Sequence, residues 1–115
     1  MTRPVELALF TDDVGAVRNF YAGLLGVAPE AEWPGGAVFA AGDVKLLVHE
    51  RAGGTADGPP NEDHVAFGVA ELDDSCAELR ARGVELLVEP REFPWGRSAY
   101  LRDPDGRLLE LSQAQ

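Results

Sequence analysis

Val5-Glu6-Leu7-Ala8-Leu9-Phe10, His64-Val65-Ala66-Phe67-Gly68-Val69 and Leu108-Leu109-Glu110-Leu111-Ser112 share one habit: large apolar residues fall on one strand face and an ionisable residue on the other. Strand side chains alternate, so Val5, Leu7 and Leu9 share a side, as do Val65, Phe67 and Val69, while Glu6, His64 and Glu110 point the opposite way. Three residues of ligand type are thereby predicted on the faces that a packed core does not claim.

The first two stretches each open a longer phrase. After Glu6-Leu7-Ala8-Leu9 come Asp12 and Asp13, good helix starters, then Val17, Phe20, Tyr21 and Leu24 at helical spacing, closed by Gly26. After His64-Val65-Ala66-Phe67 come Glu71, Asp73 and Asp74, then Leu72, Cys76 and Leu79 at helical spacing, closed by Gly83. The echo keeps register, with an offset of 58 residues at the strand and 57 at the glycine. Strand-like runs follow each helix: 36–40 and 44–48 in the first half, then 84–88, 98–101 and 108–111 in the second. Gly42-Asp43 and Asp103-Pro104-Asp105-Gly106 stand where hairpin turns would join the last two strands of each half.

Both halves therefore read β-α-β-β-β, with one strand of the first half unassigned. Such a unit covers one sheet face with its helix and needs a second unit for the other. The predicted class is α+β: two β-α-β-β-β units forming a curved mixed sheet around a central cavity. One domain is expected over residues 1–115, with a first unit at about 4–51, a Gly/Pro-rich linker at 52–62 and a second unit at about 63–113.

Twenty acidic against ten basic residues give a net charge of -10, which repels nucleic acid and anionic membrane surfaces. No run reaches the roughly 18 apolar residues of a membrane span. The single cysteine, Cys76, has no partner for an internal disulfide, and Met1-Thr2-Arg3-Pro4 leads straight into a strand, so a reducing cytoplasm is the expected location. Cys76 falls on the apolar stripe with Leu72 and Leu79 and reads as a buried, inert thiol.

Asp13 … Phe20-Tyr21-Ala22-Gly23-Leu24-Leu25-Gly26, the strand Asp63-His64-Val65-Ala66-Phe67, and Trp95-Gly96-Arg97 … Asp103-Pro104-Asp105-Gly106-Arg107-Leu108-Leu109-Glu110-Leu111 together resemble the vicinal oxygen chelate superfamily. Its members include glyoxalase I, extradiol dioxygenases, and fosfomycin and bleomycin resistance proteins. The resemblance implies metal ligands from the first and last strand of each unit. Glu6, seven residues before Asp13, matches the first position, usually histidine or glutamine in relatives. His64 matches the second-unit histidine and Glu110 the last-strand glutamate. Matching the hairpin turns puts Leu47 at the fourth position, and leucine cannot ligate metal.

Two carboxylates and one imidazole form a rather hard ligand set for one divalent ion, Mn, Fe, Ni, Zn or Mg. The implied activity is Lewis-acid chemistry on a small oxygen-chelating substrate, of lyase, isomerase, transferase or dioxygenase type. The alternative is a metal-free protein of bleomycin-resistance type that sequesters an antibiotic or metabolite; Leu47 and Glu6 both favour it. A fosfomycin-type transferase ranks third: Ser98 and Tyr100 lie in the matching pocket region, but the sequence stops at Gln115 without the basic segment those enzymes use.

His49, two residues beyond Leu47 and on the same strand face, is a candidate general base or alternate ligand, against the plainer reading of a strand-end residue beside Glu50 and Arg51. The run from Glu89 to Arg97 reads as a shaped loop over the cavity mouth, with Trp95, Arg97 and Tyr100 contacting substrate or supporting the ligands. Phe10 and Leu47 are placed as cavity wall, and Trp33 and Phe39 are apolar wall or core. Phe20 and Tyr21 are assigned to packing. The expected partners are a small-molecule ligand and, through the resemblance, a second copy in a homodimer.

Overall fold

The computed structural model describes residues 2–51 and 58–115. Among them ten elements follow in order: β1 (Arg3–Thr11), α1 (Val14–Leu25), β2 (Ala31–Trp33), β3 (Gly36–Ala41), β4 (Val44–Glu50), β5 (His64–Val69), α2 (Leu72–Ala81), β6 (Leu86–Phe93), β7 (Gly96–Arg102) and β8 (Leu108–Gln113). The α+β class and the duplicated β-α-β-β-β order are as the sequence predicts. Of the expected linker, residues 52–57 lie outside the described residues.

Within the units the strands are ordered β2-β3-β4-β1 and β5-β8-β7-β6, each a mixed set of parallel and antiparallel pairs. Glu6–Asp63 make one compact unit; residues up to Val5 group with His64–Gln115 in the other. Inside each unit the pairing is the same. β1 runs parallel to β4 with Ala8 opposite Leu47, and β5 runs parallel to β8 with Ala66 opposite Glu110. Val38 of β3 then stands antiparallel to Leu47, as Tyr100 of β7 stands to Glu110.

Local chemistry sets the helices. Asp13 caps α1, its side chain accepting from the Ala16 N–H at 3.0 Å. The start of α2 has no such local cap. Gln113 of β8 supplies it instead, its Oε1 accepting from the Leu72 N–H at 2.9 Å, while Asp73 and Asp74 place negative charge in the first turn. Val14, Val17 and Tyr21 of α1 pack on Phe39, Leu46 and Val48. Leu72 and Cys76 of α2 close a second core with Val69, Ala99, Leu101 and Leu111. Burial pushes the Cys76 thiol pKa up, as an inert core thiol requires.

Two expectations need correction, and one gap is filled. Phe20 and Leu24 stand one flank away from the Val17 and Tyr21 stripe and are 63% and 66% exposed, so packing does not account for them. The unassigned strand of the first half is the short β2, ending in a Trp33-Pro34-Gly35-Gly36 turn. The supposed loop from Glu89 to Arg97 is mostly strand: β6 and β7 form a hairpin closed by Phe93 opposite Gly96. Pro94 and Trp95 make its two-residue tip, and Gly96 takes φ 135°, a conformation that favours glycine.

Gly36 is needed for a different reason: a Cβ there would lie 2.6 Å from the Trp33 ring and 2.7 Å from the Val48 carbonyl. Gly36→Ala should therefore cost about 1–3 kcal/mol. Gly23, inside α1, has open space for 4 Å around the point where a Cβ would stand. It gives the opposite expectation, since alanine there should stabilise by roughly 0.5–1 kcal/mol. Urea denaturation of both variants checks the pair, and equal midpoints for the two would contradict it.

Candidate functional site

The unit containing β5 to β8 gathers polar groups on the sheet face away from α2. Val69, Leu101 and Leu111 alternate inward to the helix, which leaves Ala66, Gly68, Ser98, Tyr100, Glu110 and Ser112 on the other face. At their centre is the Glu110 carboxylate, on a residue only 4% exposed.

Three donors converge on its Oε2: Ser98 Oγ at 2.7 Å, Ser112 Oγ at 3.1 Å and Trp95 Nε1 at 3.2 Å. Its Oε1 meets His64 Nε2 at 3.2 Å, between side chains that are both 5% exposed. An ionised carboxylate can only accept, so His64 carries the proton in this contact. Burial by itself pushes the Glu110 pKa up. Hydrogen bonds from His64 and Ser98, the His64 charge and the Ser112 hydroxyl outweigh it, so the carboxyl is held below its ordinary range.

Aromatic rings wall the pair. Tyr100 lies edge-on to His64 with centroids 5.7 Å apart, and Phe93 lies edge-on to Tyr100 at 6.0 Å. Trp95 stacks on Phe93 at 4.7 Å with rings 5° from parallel.

Of the expected metal ligands, His64 and Glu110 come together. Their spacing suits neighbouring ligands on one ion, since two donor atoms about 2.1 Å from a cation and at right angles stand about 3.0 Å apart. Among the described residues no group of three His, Cys, Asp or Glu side chains forms a metal-holding cluster. Glu6 sits half-buried on β1, in register with Lys45.

Tyr100 and Trp95 join the constellation. Arg97 does not, which corrects its placement. It alternates with Ser98 and Tyr100 along β7, so its guanidinium lies on the α2 side and pairs with Asp73 at 2.8 Å.

Phe10, Leu47 and His49 belong to the other unit. Phe10 is opposite His49 in register, two pairs beyond Ala8 and Leu47, and their rings lie 5.3 Å apart. His49 Nδ1 is 2.7 Å from the Glu50 carbonyl oxygen. A carbonyl only accepts, so Nδ1 is the donor in this contact. Missed from the sequence were the joint roles of Ser98, Ser112 and Trp95 on one carboxylate oxygen. The period-two spacing of Ser98 with Tyr100 and of Glu110 with Ser112 was the available signal.

The family model for the Glyoxalase/Bleomycin resistance protein/Dioxygenase superfamily matches residues 3–111. The chain belongs to that superfamily. It is 33% identical over 110 residues to the glutathione transferase FosA of Serratia marcescens, covering 92% of this chain and 77% of that one. It is also 31% identical over 112 residues to the putative glyoxylase CFP32 of Mycobacterium bovis, matching 90% of this chain but spanning only 41% of that relative's length. Among solved structures, the Streptomyces coelicolor methylmalonyl-CoA epimerase in complex with 2-nitronate-propionyl-CoA superposes with a TM-score of 0.78 at 25% identity, over 99% of this chain and 98% of that one.

A folded-state pKa below the ordinary value means that Glu110 contributes stability fully above about 4.5, and that this contribution is lost as the pH falls through the lower folded value. Glu110→Gln should thus lower stability at pH 7 by about 1–3 kcal/mol and flatten the acid limb of the stability curve. Urea midpoints from pH 7 down to pH 3 test this, and a variant that keeps the wild-type acid limb would contradict it.

Proposed function

We propose that this chain is a divalent-metal-dependent enzyme that acts on a small substrate chelating through two oxygens. The observation that carries the reading is the contact between His64 Nε2 and Glu110 Oε1, buried and already at ligand spacing. His64 and Glu110 would hold the ion. Glu6 enters as third ligand from the sequence resemblance alone. The bound ion would supply Lewis acidity, polarising a coordinated substrate oxygen.

The chain's own residues prepare that chemistry. Ser98, Ser112 and Trp95 occupy Oε2 and so orient the carboxylate. The Tyr100 ring edge limits how far the His64 imidazole can turn. His49 is assigned as the proton acceptor, and Phe10 and Leu47 as apolar contacts for substrate. Likeness to a glutathione transferase supports group transfer among the reaction types, and likeness to a putative glyoxylase supports isomerisation or lyase chemistry. A homodimer in the cytoplasm completes the proposal; among the described residues no helix is long and apolar enough to cross a membrane.

A second reading rests on Leu47. The shared register puts this leucine where the other unit has Glu110, which suits a metal-free protein that sequesters an apolar antibiotic or metabolite.

Metal analysis separates the two. Protein dialysed against Mn(II) and desalted should retain about one ion per chain, while Glu110→Ala and His64→Ala should retain none and Glu6→Ala should bind more weakly. Circular dichroism confirms that the variants are folded. Failure of the wild type to hold Mn, Fe, Ni, Zn or Mg leaves sequestration as the function.

A further inference from the structure

We infer that Trp95 is a positioning residue for Glu110, fixing the carboxylate so that a single oxygen, Oε1, faces His64 and the ion. The inference rests on the metal-dependent reading above. Trp95 is 56% exposed, an unusual setting for so large an apolar ring, yet its Nε1 reaches a carboxylate that is almost fully buried. The same N–H lies 3.4 Å from Ser98 Oγ, so it bridges two members of the group that satisfies Oε2.

The backbone prepares this reach. Pro94 precedes Trp95 at the hairpin tip, Gly96 follows with φ 135°, and Phe93 provides a parallel ring against which the indole lies at 4.7 Å. Proline limits φ before the turn, and the stack limits indole rotation. The N–H is aimed before any ion arrives.

The other repeat provides an internal comparison. In the shared register, Glu110, Tyr100, Ser112 and Ser98 correspond to Leu47, Val38, His49 and Gly36. There too an indole folds back over the sheet, but Trp33 lies against the Gly36 backbone, and the position of the carboxylate is leucine. Where the acid is missing, the hairpin tryptophan serves packing. Where the acid is present, it donates to it.

An unconstrained carboxylate can chelate an ion through both oxygens or swing away from it. With Oε2 engaged by three donors, Oε1 is the oxygen that the carboxylate would offer to an ion.

Trp95→Phe tests the inference, because it keeps a ring against Phe93 and removes the N–H. Mn(II) titration followed by electron paramagnetic resonance should show at least tenfold weaker binding in this variant, with circular dichroism of chelator-treated protein confirming that it is folded. In metal-free wild type with labelled tryptophans, Glu110→Gln should move the Trp95 indole N–H resonance and leave that of Trp33 in place. Equal Mn(II) affinity in wild type and Trp95→Phe overturns the positioning role while leaving the metal reading intact. A Trp95 resonance indifferent to Glu110→Gln overturns it without any metal. Wild type that takes up no ion sinks the metal reading and this inference together.

Discussion

A carboxylate almost sealed from water has to be satisfied from every side, and Glu110 is satisfied by residues from four separate segments. His64 opens β5, Ser98 lies on β7, Ser112 is two residues along β8, and Trp95 sits at a hairpin tip. An unpaired charge at this depth would cost several kcal/mol, on the order of 3–5. The parallel pairing of β5 with β8 and the antiparallel pairing of β7 with β8 are therefore tied to this one side chain. A register slip of one residue in β8 would turn Glu110 into the α2 core and Leu111 out of it.

Pairing rules explain why the same frame yields two different surfaces. Both repeats keep a small residue beside the last-strand position, Ala8 with Leu47 and Ala66 with Glu110. Alanine leaves room for a long neighbour in either case, but one neighbour is apolar and the other charged. The helix-facing side is alike in kind between the halves, with Phe39, Leu46 and Val48 in one core and Ala99, Leu101 and Leu111 in the other. Divergence is confined to the face that no helix covers, where packing imposes least and chemistry can differ.

The duplicated order was legible because helix and strand periodicities both repeat at a nearly constant offset, and because Asp13 and Gly26 bound α1 with ordinary capping chemistry. Matching turn to turn also makes Leu47 the equivalent of Glu110 in the repeat, and the two parallel registers agree with it. Less legible were features that depend on partners distant in sequence. The cap of α2 comes from Gln113, 41 residues away from Leu72. The direction of Arg97 is fixed by Asp73 and by strand alternation, yet the run around it reads as loop because two prolines interrupt it. Pro90 lies within β6 where the pairing with β7 shifts register, between Val88 and Arg91, which is how a strand accommodates proline. Local punctuation there marks a bulge rather than an end.

Phe20 and Leu24 show where periodicity alone fails. Apolar residues at spacing i and i+4 signal a buried stripe, but α1 has two such stripes, one through Val17 and Tyr21 and one through Phe20 and Leu24. A helix lying on a sheet can turn only one of them toward it, and here Val14, Val17 and Tyr21, all half-buried, face Phe39 and Leu46. The same reasoning orders the site. Ionisable residues on an open strand face are ambiguous one at a time, and what removes the ambiguity for Glu110 is the number of directed donors around it. Three hydrogen bonds on a single oxygen hold the carboxylate plane fixed and leave the other oxygen facing an imidazole, a geometry that solvation of a surface acid does not produce.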